Sequence, residues 1–520
     1  MQKLSSNNGT PQTPSYYLSA ADADTLKNIF KQISDNIESG GSSTTLDENA
    51  VIKDIISPQF TLPAGATASN ITLESYNYNG PSYNTANAWT KNATAMGAEA
   101  TIEGSQVSVT GFDFAENWCG SKTNADGSTT YQGNKLVISF KVQPKAGFLG
   151  GNNVYTNGSA GIYENGSAQT PVMTFNQPQV NVPIENVTVT ATDKNVYLLG
   201  GLTAEQLKSG AEVKCGDVTL DLSKASENYG LEAWQTAYVN ITVKLYGADG
   251  RTEITGLTDL TDDTTYTISV TVAPKNEALG TSSGTPATAK TGANDPAKIN
   301  VFKPELTFQD SEVYYGETLN GYDTLTSTEW KHGNIKSTDN NVVMIGTAPQ
   351  LDITYSPGAG KINTKQDIAV DVTVKIGNTD VTTDTTFKHT ACTGKTCTVP
   401  TGKEFLLHVK TCSLTITKTG GNANEPYVFT VFKDNEKYSE VTVMGGGSET
   451  ICELPVGTYT IVEDTGWSWR YPNPTYSPIA GVTLSKTGAS GTITCTNSLS
   501  KPYWLNGFSA IVKNIYGVQH

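Results

Sequence analysis

The sequence predicts an all-β protein of tandem β-sandwich domains, with a short helix near its N-terminus. Segments rich in β-branched residues recur through most of the chain, among them VTVTATDKNVYLL, YVNITVKLYG and TTYTISVTVAP. Gly, Asn, Asp and Pro separate these segments at a spacing that is typical of sandwiches. Only SAADADTLKNIFKQISDNIESGG places its apolar residues at strong helical spacing within the first 500 residues. A chain of 520 residues has room for about three to five such domains.

Shifts in composition predict where the domains begin and end. We expect an N-terminal helix in residues 1–47, β-sandwich domains at 48–184, 185–295, 296–411 and 412–500, and an apolar tail at 501–520. A proline-rich stop near 184 marks the first boundary, and the linker-like LGTSSGTPATAKTGANDPAKINV marks the second. HVKTCSLTITKTGG opens a further unit near 410.

Charge and composition exclude several classes of function. The net charge of −15 and the pI of about 4.8 argue against nucleic acid and against anionic membrane surfaces. No apolar run reaches the ~18 residues that a membrane helix needs, so we expect no membrane insertion. Charged residues make up 16% of the chain, which leaves a neutral polar surface typical of extracellular stalk proteins.

The seven cysteines predict no metal centre. CTGKTC fits a local disulfide or free thiols better than half of a zinc site, because no matching CxxC or HxxxH follows it. We expect neither a metal nor a cofactor.

The most informative residues lie in the last β domain. Its first strand, SLTITKTG, contains Lys418; its middle, LPVGTYTIVED, contains Glu463; and its last strand, GTITCTN, leads to Asn497. These pieces resemble the Cna B-type, prealbumin-like domain of Gram-positive pilins and collagen adhesins, over residues 412–498. The resemblance implies an intramolecular isopeptide bond between the Lys418 and Asn497 side chains, promoted by Glu463.

The chemistry of such a bond explains these residue types. A lysine attacks only as the neutral amine, which burial favours over the charged form. An amide is a poor electrophile, so a buried and protonated carboxyl group is needed to donate to its carbonyl and to shuttle protons. Taken singly, Lys418 fits a surface lysine, Glu463 a strand-end charge and Asn497 a turn residue. Asp464 fits a solvated neighbour of Glu463.

The first β domain has a similar order of residues. Lys53 lies in AVIKDIISPQF, Asp113 in VTGFDFAENW and Asn181 in PQVNVPI. Cna A-type, immunoglobulin-like isopeptide domains have the same order: a lysine on the first strand, an acid in the middle and an asparagine on the last strand. This resemblance implies a second crosslink between Lys53 and Asn181, with Asp113 as its promoter.

The two ends of the chain suggest further relationships. YYLSAADADTLKNIFKQISDNI, followed by VIKDIISPQFTLP, resembles the last helix of a von Willebrand factor A domain running into an adhesin stalk. The metal-binding DxSxS signature of that family is not matched. In the tail, Trp504, Phe508, Ile511 and Ile515 form an apolar stripe at helical spacing. The stripe either packs on the chain's own domains or docks into a neighbouring subunit.

Together these features predict a structural stalk or filament subunit of a secreted, cell-surface pilus or fibrillar adhesin. Its partners would be copies of itself or other surface subunits, and its only reaction would be one turnover of self-crosslinking. The alternative is an adhesin module that binds a host protein or glycan through exposed aromatics such as Trp118 and Trp330. An enzyme is less favoured, because the chain has four histidines and no GxSxG.

Overall fold

The computed structural model describes residues 46–80, 88–117, 120–278, 289–291, 296–391, 398–466 and 470–499. The chain forms two compact units. The first comprises Met1–Lys194, Leu202–Leu257 and Asp263–Ile299, and the second comprises Asn195–Gly201, Thr258–Asp262 and Asn300–His520. The described chain is all-β, as predicted. The division into two units is coarser than the four predicted β domains, which stay a prediction.

Residues 51–182 of the first unit consist mainly of two antiparallel sheets. The strands are β1 Val51–Ile56, β2 Phe60–Thr61, β3 Thr72–Gly80, β4 Trp89–Lys91, β5 Glu99–Glu103, β6 Gln106–Thr110, β7 Gly120–Thr123, β8 Thr129–Ser139, β9 Gln143–Pro144, β10 Gly151–Tyr155, β11 Asn157–Tyr163, β12 Met173–Thr174 and β13 Gln179–Val182. A 3-10 helix spans Ala68–Asn70. One sheet has the order β12-β11-β1-β6-β5 and the other β4-β3-β8-β7, while β10 pairs with β13 and β2 with β9.

The core of this part lies on both sides of β1. Ile52 packs with Val109 and Ile162 in one apolar cluster. Ile56 packs with Phe60 in a second cluster, beyond a bulge that interrupts the pairing of β1 with β11. The bulge changes which residues of β1 face inward, because side chains alternate along a strand.

Residues 185–299 add short strands and two short helices. The elements are β14 Val187–Thr190, β15 Lys194–Tyr197, β16 Leu202–Thr203, α1 Ala204–Lys208, β17 Glu212–Cys215, β18 Val218–Leu220, α2 Ala233–Thr236, β19 Val239–Tyr246, β20 Gly256–Leu257, β21 Thr264–Pro274 and β22 Ala289–Thr291. Within the first unit β14 pairs with β17, β17 with β18, and β21 with both β19 and β22. Strand β21 alternates regularly, and Tyr266, Ile268, Val270 and Val272 are buried.

Residues 297–410 contain the next ten strands. They are β23 Ala297–Gln309, β24 Ser311–Tyr314, β25 Leu325–His332, β26 Ile335–Lys336, β27 Met344–Ile345, β28 Asp352–Ser356, β29 Ile368–Ile376, β30 Thr379–Asp380, β31 Thr386–Thr390 and β32 Phe405–Lys410. A 3-10 helix spans Thr382–Asp384. In the second unit β23 pairs with β25 and, in parallel, with β31, and a sheet has the order β24-β32-β29-β28.

A buried carboxylate links the early and late strands of this region. Asp310 lies between β23 and β24, and its side chain accepts a hydrogen bond from the backbone N–H of Leu406 on β32 at 2.7 Å. The Nε2 atoms of His389 and His408 lie 2.7 and 3.3 Å from its two oxygens. A buried charge needs such partners, because water no longer solvates it. Strands β24 and β32 pair in parallel beside this group.

Residues 412–497 form a sandwich of two four-stranded sheets. Its strands are β33 Cys412–Thr419, β34 Pro426–Lys433, β35 Glu436–Met444, β36 Ser448–Leu454, β37 Gly457–Glu463, β38 Thr475–Ser477, β39 Val482–Leu484 and β40 Ser490–Thr496. The sheets have the orders β36-β33-β40-β38 and β35-β34-β37-β39. Residues from both sheets, including Ile416, Phe429, Tyr459 and Ile493, fill a single apolar core.

Several sequence-based predictions lie outside the described residues. These are most of the N-terminal helix, the CTGKTC cysteines, Trp118, and the tail residues Trp504, Phe508, Ile511 and Ile515. No helix in the described ranges is long and apolar enough to cross a membrane.

We predict that Asp54→Asn stabilises the first unit at neutral pH. Burial raises the pKa of Asp54, and a side-chain hydrogen bond with Asn157 offsets this only in part. Within the described chain, its buried Oδ1 has no hydrogen-bond partner. A raised folded-state pKa means that stability falls as the pH rises through it, so the charged form is the unfavourable one at pH 7. We expect a gain of up to about 1 kcal/mol in the free energy of unfolding from urea titration.

This gain should shrink as the pH is lowered and should vanish below the ordinary Asp pKa of about 3.9, where Asp54 is protonated in both the folded and the unfolded state. Asp126→Asn is the matched control, because hydrogen bonds from Ser128 lower the pKa of this exposed carboxylate. Its substitution should therefore give no gain at pH 7. Equal effects of the two variants would contradict the assignment.

Candidate functional site

The candidate site lies at one end of the C-terminal sandwich, where three strands each carry a polar residue inward. On β33 the inward positions are Cys412, Leu414, Ile416 and Lys418, and on β37 they are Tyr459, Ile461 and Glu463. On the last strand they are Ile493 and Cys495, followed by Asn497 just beyond β40. Strand alternation therefore brings Lys418, Glu463 and Asn497 into the same core layer.

The pairing of β33 with β40 brings the first and last strands of the domain together. They run in parallel, and Lys418 is the register partner of Cys495. The backbone N–H of Asn497 donates to the carbonyl of Thr419 at 3.0 Å, which extends the pairing past the end of β40. The side chains of Lys418 and Asn497 thus leave neighbouring strands on the same face.

Glu463 is the centre of the site. Its Oε2 lies 3.3 Å from Lys418 Nζ, and its Oε1 accepts a hydrogen bond from Asn497 Nδ2 at 2.8 Å. Lys418 is 0% exposed, and Glu463 and Asn497 are each 3% exposed. Desolvating an ammonium and a carboxylate together is unfavourable, and passing one proton from amine to carboxyl removes both charges. The contact between Lys418 and Glu463 is therefore one through which a proton can pass between the amine and the carboxyl group.

Two tyrosines enclose these groups. The Tyr427 ring lies 4.6 Å from Lys418 Nζ, and burial is the main reason that its pKa is raised to about 12. The Tyr476 hydroxyl accepts a hydrogen bond from the backbone N–H of Glu463 at 2.9 Å, and burial also raises its pKa. Both phenols are therefore neutral at physiological pH, and neither adds a charge to the site.

Asp464 has a different environment from Glu463. Its side chain is exposed, and its Oδ1 accepts a hydrogen bond from the backbone N–H of Gly466 at 2.9 Å. The adjacent acids thus point to opposite sides of the strand, one into the core and one into solvent.

The sequence did not single out Cys495, although it lies inside the site. Its Sγ lies 3.0 Å from Glu463 Oε2 and 3.8 Å from Lys418 Nζ. In GTITCTN, Cys495 stands two positions before Asn497, and residues two apart share one face of a strand. This spacing is enough to predict that Cys495 lies beside Asn497.

The described contacts do not assemble a second triad in the first domain. The Lys53 amine donates to the carbonyls of Gly166 and Ala168, at 2.9 and 3.2 Å. Asp113 instead accepts backbone N–H groups of the turn that follows it. Asn181 lies on β13, which pairs with β10 rather than with the sheet of β1, and its Oδ1 accepts the N–H of Asn153 at 3.3 Å. Nearby loop carbonyls thus satisfy the Lys53 amine in place of the predicted acid.

Trp330 is not part of an exposed binding surface. It is buried against Tyr197, with ring centroids 5.1 Å apart in an edge-to-face arrangement. The described chain also contains no group of His, Cys, Asp and Glu side chains arranged to hold a metal ion.

Comparisons with known proteins give low similarity. No protein-family model matches the chain, and no curated protein matches it. The RrgA Jo.In complex is a structural match at 16% identity and a TM-score of 0.16, covering 26% of this chain and 62% of that one, so the match spans less than two thirds of its length.

Two other matched structures are an adhesin and a pilin. A Mobiluncus mulieris adhesin containing intramolecular disulfide, isopeptide and ester bond cross-links matches at 13% identity and a TM-score of 0.21, covering 51% of this chain and 99% of that one. The major pilin subunit BcpA of Bacillus cereus matches at 11% identity and a TM-score of 0.18, covering 51% and 96%. TM-scores this low carry no argument about this chain.

We predict that Gly420→Ala destabilises the C-terminal domain more than Gly446→Ala does. Both glycines have positive φ, +72° and +74°, so both alanines carry a similar backbone penalty of about 1 kcal/mol. A Cβ on Gly420 would lie 2.1 Å from the backbone oxygen of Asn497, whereas one on Gly446 would meet no atom within 4 Å. Urea titration should show at least about 1 kcal/mol of additional loss for Gly420→Ala. Equal losses would show that the close approach to Asn497 is unimportant.

Proposed function

We propose that this chain is a structural segment of a bacterial cell-surface pilus or fibrillar adhesin, and that its C-terminal domain crosslinks itself between Lys418 and Asn497. The single observation that carries the proposal is the burial of Lys418, Glu463 and Asn497 in one contacting group between the first and last strands. The all-β fold and the low charged fraction of 16%, which leaves a polar surface, support a secreted, extracellular location, with neighbouring subunits as partners.

The reaction exchanges one amide for another. The neutral Lys418 amine attacks Asn497 Cγ, the new N–C bond forms, and the bond from Cγ to Nδ2 breaks to release ammonia. Glu463 donates a proton to the amide oxygen and accepts one from the amine, so the carboxyl group is unchanged at the end. Folding supplies the proximity, since both groups are held on adjacent strands.

The position of the bond explains its mechanical value. Because β33 and β40 run in parallel, tension applied to the two ends of the domain shears their pairing along its length. Lys418 and Asn497 lie at the C-terminal end of that pairing, away from the start of β33 where the chain enters the domain. A covalent link there would carry the force from the first strand to the last, and the strands between them would stay unloaded.

Intact-mass spectrometry tests the bond directly. We expect the purified chain to be lighter than its sequence mass by one ammonia, and a tryptic digest to yield one branched peptide that joins the segments of Lys418 and Asn497. Three variants should each have the mass of their own sequence, with no ammonia lost. Lys418→Met removes the nucleophile, Glu463→Gln removes the proton carrier, and Asn497→Ala removes the electrophile.

The exposed Lys437 provides the matched control, since Lys437→Met removes a lysine of the same domain and should keep the ammonia loss. A wild-type mass equal to the sequence mass would refute the crosslink. A branched peptide at other residues would refute this assignment of the site.

A further inference from the structure

Cys495 lies at the centre of the buried group, opposite the attacking lysine. It is 0% exposed, and its Cα is the register partner of Lys418 in the parallel pairing of β33 with β40. Its Sγ lies 3.0 Å from Glu463 Oε2, 3.8 Å from Lys418 Nζ and 3.8 Å from Asn497 Oδ1. The thiol therefore touches every group that the proposed crosslinking reaction uses.

The thiol is a hydrogen-bond donor in this position. Burial, reinforced by the nearby Glu463 carboxyl group, raises the pKa of Cys495 to about 12. It therefore keeps its proton at physiological pH and is a poor nucleophile, because reactive cysteines are thiolates. The S–H group can donate to Glu463 Oε2, which is its nearest acceptor.

We propose that Cys495 is a positioning residue for the crosslinking reaction: its S–H donates to Glu463 Oε2 and so directs the carboxyl proton to Oε1, the oxygen that faces Asn497. The inference rests on the proposed function. A neutral carboxyl group has one proton, and the oxygen that accepts the S–H group is favoured as its carbonyl oxygen.

The choice of oxygen matters because the two face different partners. In the structure Asn497 Nδ2 donates to Oε1, so the reaction requires the amide group to turn over and bring its oxygen to Oε1. A proton on Oε1 can then activate the amide carbonyl. A proton on Oε2 would lie 3.3 Å from the Lys418 amine. Transfer to that amine would give the ammonium–carboxylate pair, which cannot attack. Cys495 thus disfavours the unreactive arrangement.

The protons balance without consuming the thiol. As Lys418 Nζ bonds to Asn497 Cγ, Oε1 gives its proton to the amide oxygen, and Oε2 accepts one from the amine. When the intermediate collapses, the oxygen returns its proton to Oε1, and the leaving nitrogen takes the proton from Oε2 and departs as ammonia. Cys495 keeps its S–H throughout, so it directs the reaction and is not a catalytic residue itself.

The test compares the rates of ammonia loss in Cys495→Val and Cys495→Ser. Valine fills the space without a donor, whereas serine restores an O–H donor at the same atom position. The full chain is made by cell-free synthesis and sampled over time by intact-mass spectrometry. We expect Cys495→Val to crosslink at least about tenfold more slowly than wild type, and Cys495→Ser to recover to within about threefold.

Folding is checked separately in a background that cannot crosslink. Lys418→Met with and without Cys495→Val should unfold at similar urea concentrations, which would show that valine does not disturb the domain. If wild type loses ammonia and Cys495→Val does so equally fast, the Cys495 inference is overturned and the crosslink stands. Equal slowing by valine and serine also overturns it, since packing would then explain both. Wild type without ammonia loss would refute the proposed function itself.

Discussion

A carboxyl group buried away from water must find its hydrogen-bond partners inside the protein, and the C-terminal domain is arranged around this constraint at Glu463. The amine of Lys418, the thiol of Cys495 and the amide of Asn497 all lie within 3.3 Å of its two oxygens. Each partner comes from the first or the last strand. The partners of this acid therefore depend on the register of β33 against β40, which places an amine beside an amide.

Alternation within strands explains why the sequence predicted most of this site. Lys418, Glu463 and Asn497 each continue an inward series of apolar residues, so a period of two is enough to place them in the core. The resemblance to a known domain type adds the prediction that three such residues form a crosslink, which stays a prediction. Cys495 was missed because cysteine is a common core residue, and its partners become visible only when the parallel pairing is known.

The first domain shows why order along the chain is a weaker guide. Lys53, Asp113 and Asn181 occur in the same sequence order, but no alternating apolar series leads each of them into one layer. The Lys53 amine is satisfied by the carbonyls of a loop more than a hundred positions away in sequence, which no local pattern predicts. In residues 297–410 the corresponding link between early and late strands is made by Asp310, which accepts the backbone N–H of Leu406 and lies beside His408.

The parallel pairing of β33 with β40 also has a consequence for biosynthesis. Asn497 reaches the end of β33 only after the last strand has left the ribosome and has paired with the first, which lies nearly the full length of the domain before it in the sequence. This contact is among the most distant in the domain's sequence, so it forms late in folding. In an unfinished chain the proposed bond would therefore be absent, and the covalent link would follow completion of the domain.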